Sequence, residues 1–589
     1  MKKMYPVVVA LLLAVACRTA AQTPSATEKR FLFFKLWNFI KYYHPALAAG
    51  PVDADSLFFR HLPAAEQASN TNAFNAFVAA FLDGLPAPPP GGGGSDTARV
   101  IYRNLDLDWF RQGQLINRSN KDKLNRLFSN RYGQSSHRYI PALRYHTDIP
   151  NEPGYAAADT VNLPYALRML ALARIQGAAD YLFPHKYLMD KNFDSVVRAS
   201  IPLFAACTSR MVYEKLLLQV ISCFDDTHSF KFVRQVKYRT AIFRNSFFPP
   251  FAYQVLENEI VVTDTILPLL CREAGLQPGD RITAINNRPV RAVIADVAVL
   301  LSASNRPTLL YHLSDYASNL LWRSDSSAFF LTVKRGGTTA IRKTRFAFNK
   351  DTASIRILSR YLTAKQPAPR SDNRIDILQD DIAYIKITET ARFFENEPDS
   401  AVDRVMDSLL GVAGRQKGII FDMRGYPDWG GFVHTYVYKK FGRAPNRYAD
   451  YYEVNKATPG SYVINSGSDT YYDRDIVPAN TPYPGKVVII VNPATLSMSE
   501  WNTMNLQYLF PKSITIGESS AGADGDEKTM ALPGGYEFYF TGNAIFYPDG
   551  TAAQRKGVRI DRRHPLTAAD VANPADELLE QAIRIVREP

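Results

Sequence analysis

Cysteine is scarce in this 589-residue chain: there are four, at 17, 207, 223 and 271. Cys17 lies in the leader-like N-terminus, and the other three are odd in number and lack metal-type spacing. Neither a disulfide framework nor a zinc site is expected. Long hydrophobic runs are missing too. Spanning a bilayer takes about 20 apolar residues, and no segment after the first twenty-one supplies them, so no transmembrane helix is expected. Charge is not concentrated either. The net charge is +12, but the basic residues are scattered, as in Arg342, Lys343 and Arg345 or Arg555, Lys556 and Arg559. That pattern points to a solvated surface, and no nucleic-acid partner is expected. His44 and His185 have no carboxylate or second histidine beside them at ligand spacing. They are read as capping or packing groups, with no metal and no cofactor implied.

What remains is a globular balance, 46% hydrophobic and 21% charged. The length suggests roughly three or four folding units. Lys2 and Lys3, the apolar run Val7 to Ala16 and the small residues Thr19-Ala20-Ala21 form a secretory signal over 1–21. Export to a periplasmic or extracellular address follows, with a lipid anchor on Cys17 as the alternative.

Three regions are expected after the signal. Residues 22–246 are helical: Phe31, Phe34, Leu36, Trp37, Phe39 and Ile40 recur at helical spacing until Tyr43-His44-Pro45, and a second run covers Leu163 to Phe183. Pro86 to Gly94 reads as a linker. Residues 247–346 shift to short strands, Glu259 to Thr263 and Phe329 to Lys334. Between them Pro278-Gly279-Asp280 turns into an apolar strand, Ile282 to Ile285, and Asn286-Asn287 turns it back. Residues 374–589 alternate strands and helices: Ile382 to Ile387, the helix Ser400 to Val412, then Gly418 to Asp422 and Lys486 to Val491, both continuous enough for buried parallel strands. In such sheets catalytic loops follow the carboxyl ends of strands, here Asp422 and Val491.

Ser497 stands at the resulting strand–loop–helix junction, in Asn492-Pro-Ala-Thr-Leu-Ser-Met-Ser-Glu500. A hydroxyl there can project into a cleft while helix N-terminal amides stabilise an oxyanion. Ser497-Met-Ser-Glu500 is also an S-x-x-E capping box, so local sequence alone favours a cap.

Several segments together change that balance. The strand VVIIV followed by SMSE resembles the nucleophile segment of the C-terminal processing peptidases, a family that includes the tricorn protease core. Ile516 to Ser520 resembles its next strand and loop, Gly418 to Gly425 its Asp-x-Arg segment, and Lys556 to Asp561 its late Gly-Val-x-Pro-Asp segment. Ala274 to Val290 resembles the PDZ domains of secreted proteases. The resemblance implies a multidomain α+β chain: an N-terminal helical region, a PDZ-like β domain and a C-terminal α/β domain of crotonase/ClpP type.

It also implies site roles. Ser497 is the nucleophile. The position of the processing proteases' lysine holds Ala523, with Lys528 the nearest lysine downstream. The tricorn-like branch uses histidine before the PDZ region, and Phe224-Asp-Asp-Thr-His-Ser-Phe230 supplies His228, with Thr227 to orient its ring. The amides of Ser497 and Met498, with Gly425 or Tyr426, are implied to hold the oxyanion, although Arg424 to Gly431 is longer than the family's glycine loop. Gln554 stands where the family has an acid; it accepts a hydrogen bond but supplies no charge. The implied function is an exported serine endopeptidase acting on peptides or unfolded protein tails through an acyl-enzyme. Because interphotoreceptor retinoid-binding protein is a binder with this fold, a noncatalytic binding protein or a PDZ envelope scaffold stays open.

Overall fold

The computed structural model describes residues 24–89, 100–142, 146–156, 161–365, 374–464 and 476–588. The leader-like N-terminus and most of the Pro86 to Gly94 linker lie outside them.

The first unit is helical: α1 (Ala26–Tyr43), α2 (Ala54–Gln67), α3 (Thr71–Asp83), α4 (Tyr165–Gly177), α5 (Phe193–Ala205) and α6 (Arg210–Ile221). Helix α1 stops where His44 precedes Pro45, because a residue before proline is pushed out of the helical region. His44 Nδ1 then accepts from the Ala46 N–H at 3.1 Å, so this histidine is a cap. Helix α1 is buried almost all round, and its polar residues are paired: Lys35 meets Asp180 and Asp194 at 2.9 and 2.8 Å, and Lys41 meets Glu152.

The second unit is an antiparallel sheet in the order β1 (Phe251–Val255), β2 (Ile260–Thr265), β3 (Arg281–Ile285), β4 (Ala328–Arg335), β5 (Thr338–Arg345), with helices α7 (Val290–Ala298) and α8 (Arg306–Leu313). Asn286 and Asn287 turn the chain with φ of +48° and +63°, a region that asparagine tolerates. Fully buried Trp322 centres the core, edge-on to Phe251 and Tyr253.

The third unit runs β6 (Asp376–Leu378), β7 (Ile382–Lys386), α9 (Asp399–Gly414), β8 (Gly418–Asp422), β9 (Lys486–Val491), α10 (Met498–Leu509), β10 (Ile514–Gly517), β11 (Glu527–Leu532), β12 (Tyr536–Thr541), β13 (Arg562–Arg563) and α11 (Glu577–Arg587). One sheet has the order β6-β7-β8-β9-β10-β13, parallel except between β6 and β7. The two-residue period sorts its side chains cleanly. Ile382, Ile420, Val488, Ile490 and Ile516 pack on Ala582 and Ile585 of α11. Ala383, Ile385, Ile419, Phe421, Val487 and Ile489 face Leu410 of α9 and Met504 and Leu506 of α10. Gly418 permits the closest approach, since a Cβ there would lie 2.3 Å from Val586 Cγ1.

The hairpin β11–β12 leaves this sheet. Met530, Leu532, Tyr536, Phe538 and Phe540 join the core of the helical unit. Tyr213 of α6 donates to the Pro533 carbonyl at 2.9 Å. The hairpin thereby carries a late part of the chain against the segment that follows α6.

Candidate active site

Strands β8 and β9 end side by side, so the loops after Asp422 and Val491 open at one edge of the sheet. Asp422 accepts from Arg424 at 2.8 and 2.6 Å and from the Tyr384 hydroxyl at 2.7 Å, fixing the root of the first loop. Further along, Asp428 accepts from the Thr390 N–H and hydroxyl and from the Ala391 N–H. Gly425, between these anchors, has φ +125°, where a side chain is strained and its Cβ would meet Thr388 Cγ2 at 2.6 Å.

The second loop is tied to the first, since Thr495 and Ser499 hydroxyls both donate to the Met423 carbonyl, at 2.8 and 3.0 Å. Ser497 then enters α10 at φ +53°, ψ −116°, a conformation that costs a non-glycine residue of order 1–3 kcal/mol. Its N–H donates to Glu500 Oε2 at 3.2 Å. Glu500 reaches beyond a local box: it also accepts from Ser520 Oγ (2.6 Å), Gly522 N (2.8 Å) and Ala523 N (3.0 Å). Among the described residues the N–H groups of Gly425, Tyr426 and Met498 make no hydrogen bond. They are donors left over at a loop and at a helix N-terminus.

On the facing side, α6 gives way to Asp225 in the left-handed region and to a tight turn, Thr227–Arg234. Asp226 and His228 are both buried. Asp226 accepts from the Thr541 N–H at 2.6 Å, the Thr541 hydroxyl at 2.8 Å and Gln554 Nε2 at 3.3 Å. His228 Nδ1 is 2.8 Å from the same hydroxyl and 3.8 Å from Asp226 Oδ1. Burial works against a charged imidazole, but Asp226 outweighs it and raises the His228 pKa. Burial likewise works against the carboxylate, yet His228 and Thr541 hold the Asp226 pKa down.

The two sides meet across residues 520–523, in the loop that runs on to Gly525. Glu500 holds Ser520, Gly522 and Ala523 from the serine side. Thr227 Oγ1 stands 3.1 Å from the Ala521 carbonyl and 3.0 Å from Ser304 Oγ on the other. The loop between α7 and α8 completes the contact: Ser302 Oγ receives the Asp226 N–H (3.1 Å) and donates to the Asp226 carbonyl (2.8 Å), Ser304 Oγ receives the Thr227 N–H (2.9 Å), and Asn305 donates to the Ser520 carbonyl (2.8 Å). His312 of α8 stacks on Phe230 at 3.7 Å and 4°. Arg555 donates to the Ser304 carbonyl and to Asp225 and Asp190, and its own N–H to the Gly522 carbonyl. Within the loop Asp524 is buried with Oδ2 unpartnered. Burial, then the charges of Glu500 and Asp526, push its pKa well up and favour the neutral acid.

Of the residues singled out in the sequence, Ser497, Met498, Gly425 and Tyr426 line the serine side, and His228, Thr227 and Gln554 lie on the other. No hydrogen bond joins the Ser497 hydroxyl to the His228 ring, and the neighbour of that hydroxyl is the Tyr426 phenol. Thr227 is turned away from the imidazole toward Ala521 and Ser304, and the ring's hydroxyl neighbour is Thr541 instead. Gln554 touches Asp226 rather than His228. Lys528 donates to the His146 carbonyl at 3.1 Å. His434 is buried beside Asn502, its pKa pulled down to about 4 by burial. Sequence reasoning did not single out Thr541, Glu500 beyond its box position, or Asp226 beyond its place in the segment Phe224 to Phe230. The first had no local signal. Among the described residues no group of His, Cys, Asp and Glu is arranged to hold a metal, and no helix is long and apolar enough to cross a membrane.

Comparisons against known proteins bear on the domains. Residues 381–563 match the model of peptidase family S41, and residues 272–310 match that of the PDZ domain. The C-terminal unit is therefore an S41 peptidase domain, preceded by a PDZ domain and a helical N-terminal region. No curated protein matches the sequence. Among solved structures, mature CPAF shares the fold at a TM-score of 0.50 and 12% identity, over 72% of this chain and 97% of that one. A putative peptidase from Parabacteroides merdae matches at 13% identity, over 72% and 98% of the two chains, with a TM-score of 0.38. A photosystem II D1 C-terminal processing protease matches at 14% identity, over 72% and 97%, with a TM-score of 0.34.

Proposed function

We propose that the protein is an exported serine endopeptidase that cleaves peptides or unfolded protein tails through an acyl-enzyme. Ser497 is the nucleophile and His228 its base. One observation carries this reading: the strained serine and the buried histidine are fastened to one loop, residues 520–523, by Glu500 and Thr227. His228 Nε2 takes the Ser497 proton as the alkoxide attacks the peptide carbonyl, and returns it to the leaving amine. The unengaged N–H groups of Met498 and of Gly425 or Tyr426 are suited to the oxyanion. The PDZ domain, fused beside the base, supplies peptide binding, and free C-termini are the proposed ligand.

The Ser497 hydroxyl must turn from Tyr426 toward His228 when substrate binds, as loosely aligned apo sites do. Labelling with a fluorophosphonate tests the reading. Wild-type protein is expected to be labelled at Ser497, and Ser497→Ala and His228→Ala each to lose peptidase activity, with the double variant scarcely worse than either. Lys528→Ala is expected to cleave peptides normally. An unlabelled wild-type serine would favour a noncatalytic binding protein, and wild-type activity in His228→Ala would require another base.

A further inference from the structure

We infer that Asp226 takes the place of the acid missing at Gln554, and that it acts on His228 through the hydroxyl of Thr541. This inference rests on the serine peptidase reading above. Hydrogen-bond directions decide it. Asp226 is read as a carboxylate, since its pKa is held low, so the 2.8 Å contact with Thr541 Oγ1 requires the threonine to donate. A hydroxyl has one proton. With that proton on Asp226, the 2.8 Å contact between Thr541 Oγ1 and His228 Nδ1 must be donated by the ring. The imidazole is thereby fixed as the Nδ1–H tautomer, leaving the Nε2 lone pair for the Ser497 proton. Direct contact from Asp226 Oδ1 to Nδ1, at 3.8 Å, is too long for a hydrogen bond but close for a charge.

During attack the Ser497 proton moves to Nε2 and the ring becomes an imidazolium. The Nδ1 proton stays on Nδ1, and the Thr541 proton stays between Oγ1 and Asp226. No proton reaches the acid; Asp226 stabilises the ring's positive charge across the threonine. Thr541 and Asp226 are thus positioning residues. The surroundings hold them firmly: the Thr541 N–H donates to Asp226 Oδ2 at 2.6 Å, Gln554 Nε2 donates to Oδ1, and Ser302 fixes the Asp226 backbone on both sides. Gln554 fits this role, since a glutamate there would set a second carboxylate against Asp226. Other titratable groups near the pair are Glu527 and Lys231, bonded to each other at 2.7 Å, and buried His185, whose pKa is held at about 4 by burial.

Steady-state kinetics and pH profiles on the full chain test the relay. Thr541→Val is expected to lower kcat by about tenfold with KM little changed, a part of the roughly 10²–10⁴-fold that a positioned general base contributes, and Thr541→Ser to restore most of the loss. Asp226→Asn is expected to lower kcat about a hundredfold. It is also expected to move the acid limb of kcat/KM to lower pH, because the charge that raises the His228 pKa is gone. In wild type that limb is expected above pH 6.5, with activity lost as pH falls through it. Adding Gln554→Glu to Asp226→Asn is not expected to restore activity. A Thr541→Val enzyme with wild-type kcat and pH profile would overturn the relay, as would rescue by Gln554→Glu. Both results are read against Ser497→Ala and His228→Ala: if those variants stay active, the serine peptidase reading fails first.

Discussion

Replacing Glu500 by glutamine removes a charge and one acceptor oxygen while keeping the shape. The carboxylate takes two donors on each oxygen: Ser520 Oγ and Gly522 N on Oε1, Ser497 N and Ala523 N on Oε2. An amide serves only one of these pairs, and its NH2 must face two donors on the other side. Two hydrogen bonds to a charged acceptor are lost, at about 1.5–3 kcal/mol each. Part of this is offset, because burial already opposes the carboxylate and raises its pKa. The net loss is therefore about 3 kcal/mol. For a domain of 150–250 residues, 1 kcal/mol moves Tm by about 2–4 °C, so scanning calorimetry is expected to show a fall of about 6–12 °C. Because one of the freed donors is the Ser497 N–H, the rate of fluorophosphonate labelling is expected to fall with it. A Tm within about 2 °C of wild type together with an unchanged labelling rate would refute Glu500 as the brace of the serine.

Asp524→Asn is expected to act in the opposite sense. The raised pKa favours a protonated Asp524 in the folded chain, whereas the unfolded carboxyl ionises above about pH 3.9, so stability is expected to fall as pH rises from there toward the raised folded pKa. The asparagine variant is expected to melt above wild type at pH 8 and to gain less at pH 5, and equal shifts at both would show that the acid is not held neutral. For the PDZ domain, peptides with a free apolar C-terminus are expected to bind more tightly than their amidated forms in fluorescence anisotropy, and equal binding would remove the C-terminal preference.

The elements legible in the sequence were those whose stability is local. Gly418 to Asp422 and Lys486 to Val491 read as buried strands because every residue between sheet faces must be apolar, and they form β8 and β9. The turn at Asn286-Asn287 was visible for the same reason, since few residues accept positive φ. The contacts around His228 were not. The resemblance implied Thr227, the hydroxyl residue just before His228, to orient the ring, but consecutive side chains of a tight turn point in different directions. The hydroxyl that faces Nδ1 comes from Thr541, on a hairpin whose register with the turn depends on how two separate cores pack. Glu500 illustrates the intermediate case: its proximity to Ser497 could be read from the spacing, but its hold on residues 520–523 depends on where β10 leads the chain.

The hairpin that brings Thr541 to His228 also sets a timetable. His228 emerges from the ribosome 269 residues before Ser497, and Thr541 later still. At about 5–20 residues per second, some 13–54 seconds separate the first two. Throughout that interval the nascent chain carries the PDZ sheet and a helical unit that still lacks the hairpin residues of its core, and the proposed site is not assembled. The proposed site is therefore incomplete until the segment carrying Thr541 has been made, a delay written into the order of the segments.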